Sequence, residues 1–251
     1  MSRSELNQVS DNKDAGTRWR GLYRIAGIAL LTTLILSLSQ MLMFIVWENF
    51  PNSTHDWYIL FQNNRLLGLY YLNTLDIASI ALLIPMFLAF YVALRRVNEI
   101  WITIATPVAL IGIAVFITPR AALLSIIPLS DQYAAATTDS QRAQLLAAGD
   151  AVGALGQAMP TTVGFILISV AVLIISIVML RSNIFNNLIA YIGILASLLT
   201  FIVNFSLIFM PSATNLLIGV FGVFWFLWWI LIARRFLQLG RHENNELPQQ
   251  P

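Results

Sequence analysis

Six long apolar runs decide most of what this chain can become. They lie at approximately 25–47, 68–94, 100–118, 161–180, 187–210 and 216–233. Each comes close to the roughly 17 to 25 helical residues that cross a hydrocarbon core about 30 Å thick. Lipid offers no partner to a backbone amide, so a segment inside it must pair its own amides, as a helix does. A β-barrel would show alternating segments of about ten residues, and these runs do not alternate. The expectation is an all-α, polytopic membrane protein with six transmembrane helices.

Composition points the same way and removes several function classes. Of 251 residues, 58% are hydrophobic and 10% are charged, against a usual charged share of about 25%. The net charge of +2 comes from scattered basic residues, which leaves no footprint for nucleic acid. The chain has no cysteine, so disulfides, thiolate metal sites and cysteine nucleophiles are absent. The first apolar run follows a polar stretch and exceeds a signal-peptide core in length. No small-x-small cleavage pattern follows it closely, so it is read as a retained helix.

Six crossings put both termini on one side of the bilayer. That side would carry Arg3, Lys13, Arg18, Arg20, Arg24, Arg95, Arg96, Arg181, Arg234, Arg235 and Arg241; the other would carry Arg65, Arg120 and Arg142. The positive-inside bias makes the first side the cytoplasm, and the expected location is the plasma membrane. The chain then divides into a polar cytoplasmic tail (1–21), a six-helix transmembrane domain (22–238) and a second cytoplasmic tail (239–251). "RRVNE" (Arg95 to Glu99) and "RSNIFNN" (Arg181 to Asn187) read as tight inner connections. "PSATN" (Pro211 to Asn215) reads as a short outer one, its proline ending helix five.

Two outer segments are longer. Residues 48–67 form a loop. Within 119–160, "AALLSIIPLS" (Ala121 to Ser130) is apolar but too short to cross, so it either continues helix three or lies at the interface. "TDSQRAQLLAAGDAVGALGQAMP" then reads as a helix capped by Thr138 or Asp139. Leu145, Ala148, Val152, Leu155 and Met159 share one face, with Asp139, Asp150 and Gln157 opposite. This predicts an amphipathic outer helix before helix four.

Asp76 is the one acid well inside an apolar run. With helix two starting near Gly68, it would sit roughly 12 Å below the outer edge at about 1.5 Å per residue. Asn73 and Ser79 share its face. Gln40 in helix one and Asn204 in helix five lie at similar depth. Asp76, Asn73, Gln40 and Asn204 therefore form a candidate pocket for a small molecule or ion, because intramembrane ionisable groups are expensive and often functional. The structural alternative is a protonated Asp76 that donates to Asn204, Gln40 or a backbone carbonyl and binds helices together. Arg65 could reach Asp76 only if the helix began early.

No catalytic residue is assigned. The nucleophile elbow, the H-E-x-x-H pattern and the P-loop are all missing. No metal site or cofactor is assigned either, since His55 and His242 fall on opposite sides. "GILAS" (Gly193 to Ser197) reads as a close-packing face, within the chain or between chains. Trp228 and Trp229 read as part of an inner interfacial belt, with an aromatic ligand box as the alternative.

The order of features resembles a family of bacterial six-helix integral membrane proteins catalogued only as a domain of unknown function. "RIAGIALL" (Arg24 to Leu31) opens helix one as in that family. Asp76 is followed by "FYVALRRVN" (Phe90 to Asn98), similar to a family turn in which Arg96 would be a proline. "MLRSN" (Met179 to Asn183) is similar to a family turn that a Pro-Arg stretch usually follows; here "IFNNLIAYIGILAS" stands instead. The resemblance implies six helices and a bacterial origin, and it implies no activity.

Two function classes remain. One is a binding or transport protein for a small molecule or ion, with a pocket around Asp76. The other is a non-catalytic membrane component acting through helix–helix contacts with a partner or with itself. The first predicts water at Asp76. The second predicts a dry, packed Asp76 and a lipid-facing groove of small residues.

Overall fold

The computed structural model describes residues 19–46, 50–156 and 159–241. The ends of both predicted tails, with His242, lie outside those residues. Among the described residues the regular structure is helical throughout, and six helices are long and apolar enough to cross a membrane: Arg20–Leu42, Thr74–Leu94, Glu99–Ala135, Thr162–Met179, Asn187–Ser206 and Leu216–Arg241. The chain is thus an all-helical, multi-pass membrane protein. In chain order the helices are α1 (Arg20–Val46), α2 (Thr54–Asn63), α3 (Arg65–Tyr71), α4 (Thr74–Ala81), α5 (Ile84–Leu94), α6 (Glu99–Ala122), α7 (Ile126–Ala135), α8 (Asp139–Gly156), α9 (Met159–Met179), α10 (Asn187–Phe209) and α11 (Pro211–Arg241).

Several boundaries differ from expectation for local reasons. Residues 48–67 were expected to be a loop, yet they contain α2 and the start of α3. Ser53 accepts from the Asp56 amide while the Asp56 carboxylate accepts from the Ser53 amide, a capping box that starts α2. Asn64 then caps α3 by accepting from the Leu67 amide at 3.0 Å. Helix two does not run from Gly68. Asn73 has a φ of 58°, in the left-handed region where Asn is enriched. This break ends α3 and puts Asp76 in the first turn of α4. The apolar stretch 121–130 continues helix three: a 3-10 turn at Leu123–Ser125 joins α6 to α7. Together they run 37 residues, about 55 Å at 1.5 Å per residue, well beyond one membrane thickness. Residues 211–215 are the first turn of α11 rather than a connection, with Pro211 at the position where a missing N–H costs nothing.

The chain gathers into two compact units, Met1–Thr32 with Leu82–Pro107 and Ala171–Pro251, and Thr33–Ala81 with Val108–Val170. The first is an aromatic unit. α10 and α11 pair as a hairpin, tied by Trp225 Nε1 donating to Thr200 Oγ1 at 3.1 Å. Phe90 is fully buried, with ring centroids 5.7 Å from Phe185, 5.8 Å from Trp228 and 5.0 Å from Phe236. Trp228 is fully buried and Trp229 nearly so, so these rings are core and not an interfacial belt. Gly193 of "GILAS" lies against Ser176 and the Trp228 indole, so that small-residue face is used inside the chain. Arg24 Nε donates to Gly240 O at 2.8 Å, and Arg235 Nε to Ile184 O at 2.6 Å.

The second unit combines a close helix approach, an apolar cluster and polar bonds between its helices. α6 and α9 approach at Gly112 and Gly164: a Cβ on Gly164 would lie 2.7 Å from the Phe116 amide nitrogen. α2, α7 and α8 pack around Tyr58, Phe61 and Ile126. Tyr58 donates to Leu145 O at 2.6 Å, and Ser130 donates to Tyr58 O at 2.9 Å. α8 exists, capped by Thr138 accepting from the Gln141 amide at 3.3 Å. The face expected to pack is only partly the one that does. Leu145 and Val152 are half-buried, but Ala148 and Leu155 are exposed. Buried Gly149 makes the close approach, to Thr54 and Tyr58. Met159 and Gln157 have no described side chains.

Candidate functional site

Three ties across unit two begin on α1. Thr33 Oγ1 donates to Ser79 O at 3.1 Å, Gln40 Nε2 donates to Asn73 Oδ1 at 3.4 Å, and Ser39 O accepts from the Tyr70 hydroxyl at 2.9 Å. Gln40 and Asn73, two of the predicted pocket residues, are thus brought together. The Gln40 amide supports the left-handed turn at Asn73 that sets where α4, and so Asp76, begins.

The partner of Asp76 is Arg120, not Gln40, Asn204 or Arg65. Arg120 Nη2 lies 3.6 Å from Asp76 Oδ2, with side chains 20% and 26% exposed. This is an ion pair looser than a hydrogen bond. The Arg120 guanidinium also lies over the Phe116 ring, 5.4 Å from its centroid. Its Nε is buried with no hydrogen-bond partner among the described residues. Arg65 pairs instead with Asp131, at 2.6 Å on an exposed surface. Asn204 belongs to the aromatic unit and bonds its own helix, donating Nδ2 to Thr200 O at 2.7 Å.

Arg120 and Asn73 open onto a cavity of about 630 Å³ within unit two. Phe50, Trp57, Tyr71 and Leu72 form an aromatic and aliphatic wall. Asn52, Ser53, Thr54 and Thr162 add polar groups, and Gly149, Asp150 and Gly153 of α8 close another side. Asp76, Gln40 and Asn204 do not line it. Phe50 and Tyr71 have ring centroids 5.0 Å apart, and Phe50 meets Trp57 edge-on at 5.8 Å.

Outside the membrane spans, local charges are set by specific neighbours. The Asp150 carboxylate accepts from the Thr54 hydroxyl. The Tyr58 phenol is pushed up mainly by burial and further by the nearby Asp150 charge, which keeps it protonated as the donor to Leu145 O. Asp56 is held below the usual carboxylate range, chiefly by the Ser53 hydroxyl.

Chemically, this arrangement can bind. It offers one guanidinium, one carboxylate, amide and hydroxyl groups, and an aromatic surface, in a volume typical of small-molecule sites. Sequence reasoning missed Arg120, although a signal existed: it ends the third apolar run, on the same expected side of the membrane as Asp76. Asp150 was seen, but as part of a solvated face.

A family model described as "Domain of unknown function (DUF4386)" matches residues 25–233. No curated protein matches the chain, and no solved structure does.

Proposed function

The chain belongs to this family of unknown function, and on that premise we propose that it binds or transports a small molecule or ion through the cavity beside Arg120 and Asn73. One observation carries the reading: a cavity of about 630 Å³ meets a guanidinium from a membrane-spanning helix, and that guanidinium makes no hydrogen bond among the described residues, only the loose contact to Asp76. Charged groups within spans are costly and mark ligand or ion paths. Asp76 is the fixed counter-charge that lets Arg120 remain there, a positioning role more than a contact with ligand. The arginine bias turns the cavity to the outside of a bacterial plasma membrane, with both termini cytoplasmic. The competing reading, a component acting by helix contact, has less support, because the "GILAS" face is occupied within the chain.

The test uses purified full-length protein and a panel of amino acids, organic acids, amines and sugars, scored by thermal stabilisation. At least one compound should raise the melting temperature, and Gly153→Leu, which would fill the cavity from open space, should abolish the rise. No stabilisation by any class would contradict the reading. The topology is tested separately with Asp131→Cys and Arg95→Cys: in intact cells an impermeant thiol reagent should label the first and spare the second.

A further inference from the structure

The charges on the cavity wall specify more than that something binds there. Among the lining residues, Arg120 is the one cation and Asp150 the one carboxylate. They are not paired with each other. Arg120 has the loose contact to Asp76 at 3.6 Å, and Asp150 uses Oδ1 for the Thr54 hydroxyl. Arg120 therefore keeps guanidinium donors that make no hydrogen bond among the described residues, on a side chain 20% exposed, and Asp150 keeps Oδ2.

Three kinds of occupant can be compared. The wall itself carries one guanidinium, Arg120, and one carboxylate, Asp150. A simple organic anion would satisfy Arg120 but bring a second negative charge near Asp150. A simple amine would suit Asp150 and the aromatic wall but leave the Arg120 guanidinium without a carboxylate, which costs roughly tenfold or more in binding. A molecule carrying both a carboxylate and an ammonium leaves the charge sum unchanged and meets both groups. The planar guanidinium fork matches a carboxylate. Trp57, Phe50 and Tyr71 then offer an apolar surface to the remainder of the ligand.

We propose that the ligand is a small amphoteric molecule of the amino-acid type, its carboxylate on Arg120 and its ammonium at Asp150. This rests on the cavity being a ligand site and names the chemistry of that site.

The experiment uses the full chain in lipid nanodiscs, with binding read by calorimetry. The twenty standard amino acids are screened first. The best binder is then compared with its des-amino acid and its decarboxylated amine; for phenylalanine these are 3-phenylpropionate and phenethylamine. The amino acid should bind about tenfold to a hundredfold more tightly than either analogue, the scale of one charge-assisted hydrogen bond. Asp150→Asn should erase the preference over the des-amino acid and leave the preference over the amine. Arg120→Gln should do the reverse. Because Arg120→Gln also strips Asp76 of its partner, Asp150→Asn and the wild-type comparison stand without it. If the analogues bind as well as the amino acid, or if no amino acid binds, the amphoteric assignment is overturned. Binding of an uncharged compound that Gly153→Leu abolishes would leave the cavity as a ligand site while removing this assignment.

Discussion

Around Phe90, aromatic rings fill the space between helices; around Arg120, a cavity of about 630 Å³ is left among polar side chains. The two units use their buried polar groups differently. In the aromatic unit these groups mostly turn back on their own helix: Ser197 donates to Gly193 O, Thr200 to Ala196 O and Asn204 to Thr200 O. Such bonds satisfy a hydroxyl or amide locally and leave the helix surface free to pack. In the cavity unit they reach across the chain, from Thr33 to Ser79 O, from Gln40 to Asn73 and from Tyr58 to Leu145 O. The ion pair of Arg120 and Asp76 does the same. Long-range polar ties hold helices at set distances without filling the gap between them. A cavity of about 630 Å³ persists there, whereas in the aromatic unit a smaller one of about 280 Å³ lies between Trp101, Ile174 and Arg181, away from the rings around Phe90.

That contrast predicts where substitutions bite. The largest effect should come from Trp228→Ala, which empties the centre of the aromatic unit. A loss of about 3–5 kcal/mol is expected, measured as a fall in unfolding midpoint, with ligand affinity in the surviving folded fraction unchanged. Next is Gly164→Val. Its Cβ would meet the Phe116 backbone nitrogen at 2.7 Å, which a side-chain rotation cannot relieve. It should cost about 1–3 kcal/mol, whereas Gly153→Ala, with open space around it, should stay within about 0.5 kcal/mol. Equal costs at the two glycines would remove the distinction between packed and open faces of the cavity unit.

A double-mutant cycle on Asp76→Asn and Arg120→Gln sharpens the comparison further. The double mutant should cost less than the sum of the two single changes, with a coupling of about 0.5–3 kcal/mol. Strict additivity would mean that the 3.6 Å contact is incidental. The smallest effect concerns pH. Asp56 titrates below its ordinary range because Ser53 favours its charged form. Its contribution is therefore present above the unfolded pKa, near 4, and is lost as pH falls through the lower folded value. Asp56→Asn should flatten the acid limb of a stability profile slightly and leave neutral pH unchanged apart from the cap.

Hydropathy made the six spans legible, because the membrane acts on every residue of a run in the same way. It also exposed Asp76 as anomalous. The partner of Asp76 was not legible, since pairing depends on which helices adjoin, and Arg120 sits at the end of its run where an arginine looks like an ordinary boundary charge. Gln40 and Asn73 were read as pocket residues. Asn73 lines the cavity and Gln40 does not; the two are hydrogen-bonded at the turn that positions α4, and that turn rests on a positive φ that composition does not announce. Asn204 was misplaced because depth alone cannot say whether an amide bonds its own helix. α2 was signalled by Ser53 and Asp56, a capping pair concealed by the expectation of a loop. Trp228 followed a general preference for interfaces, and ring packing against Phe90 overrode it.

The central claim is that water reaches the cavity beside Arg120 and not the packed interior of the aromatic unit. Thr162 lines the cavity, and Ser197 is fully buried in the aromatic unit. In a chain with no native cysteine, Thr162→Cys and Ser197→Cys can each be treated with a membrane-impermeant thiol reagent on the purified protein in nanodiscs, beside exposed Asp131→Cys. The account predicts labelling of Thr162→Cys at a rate approaching that of Asp131→Cys, and protection of Ser197→Cys. Protection of both, or labelling of both, would contradict it.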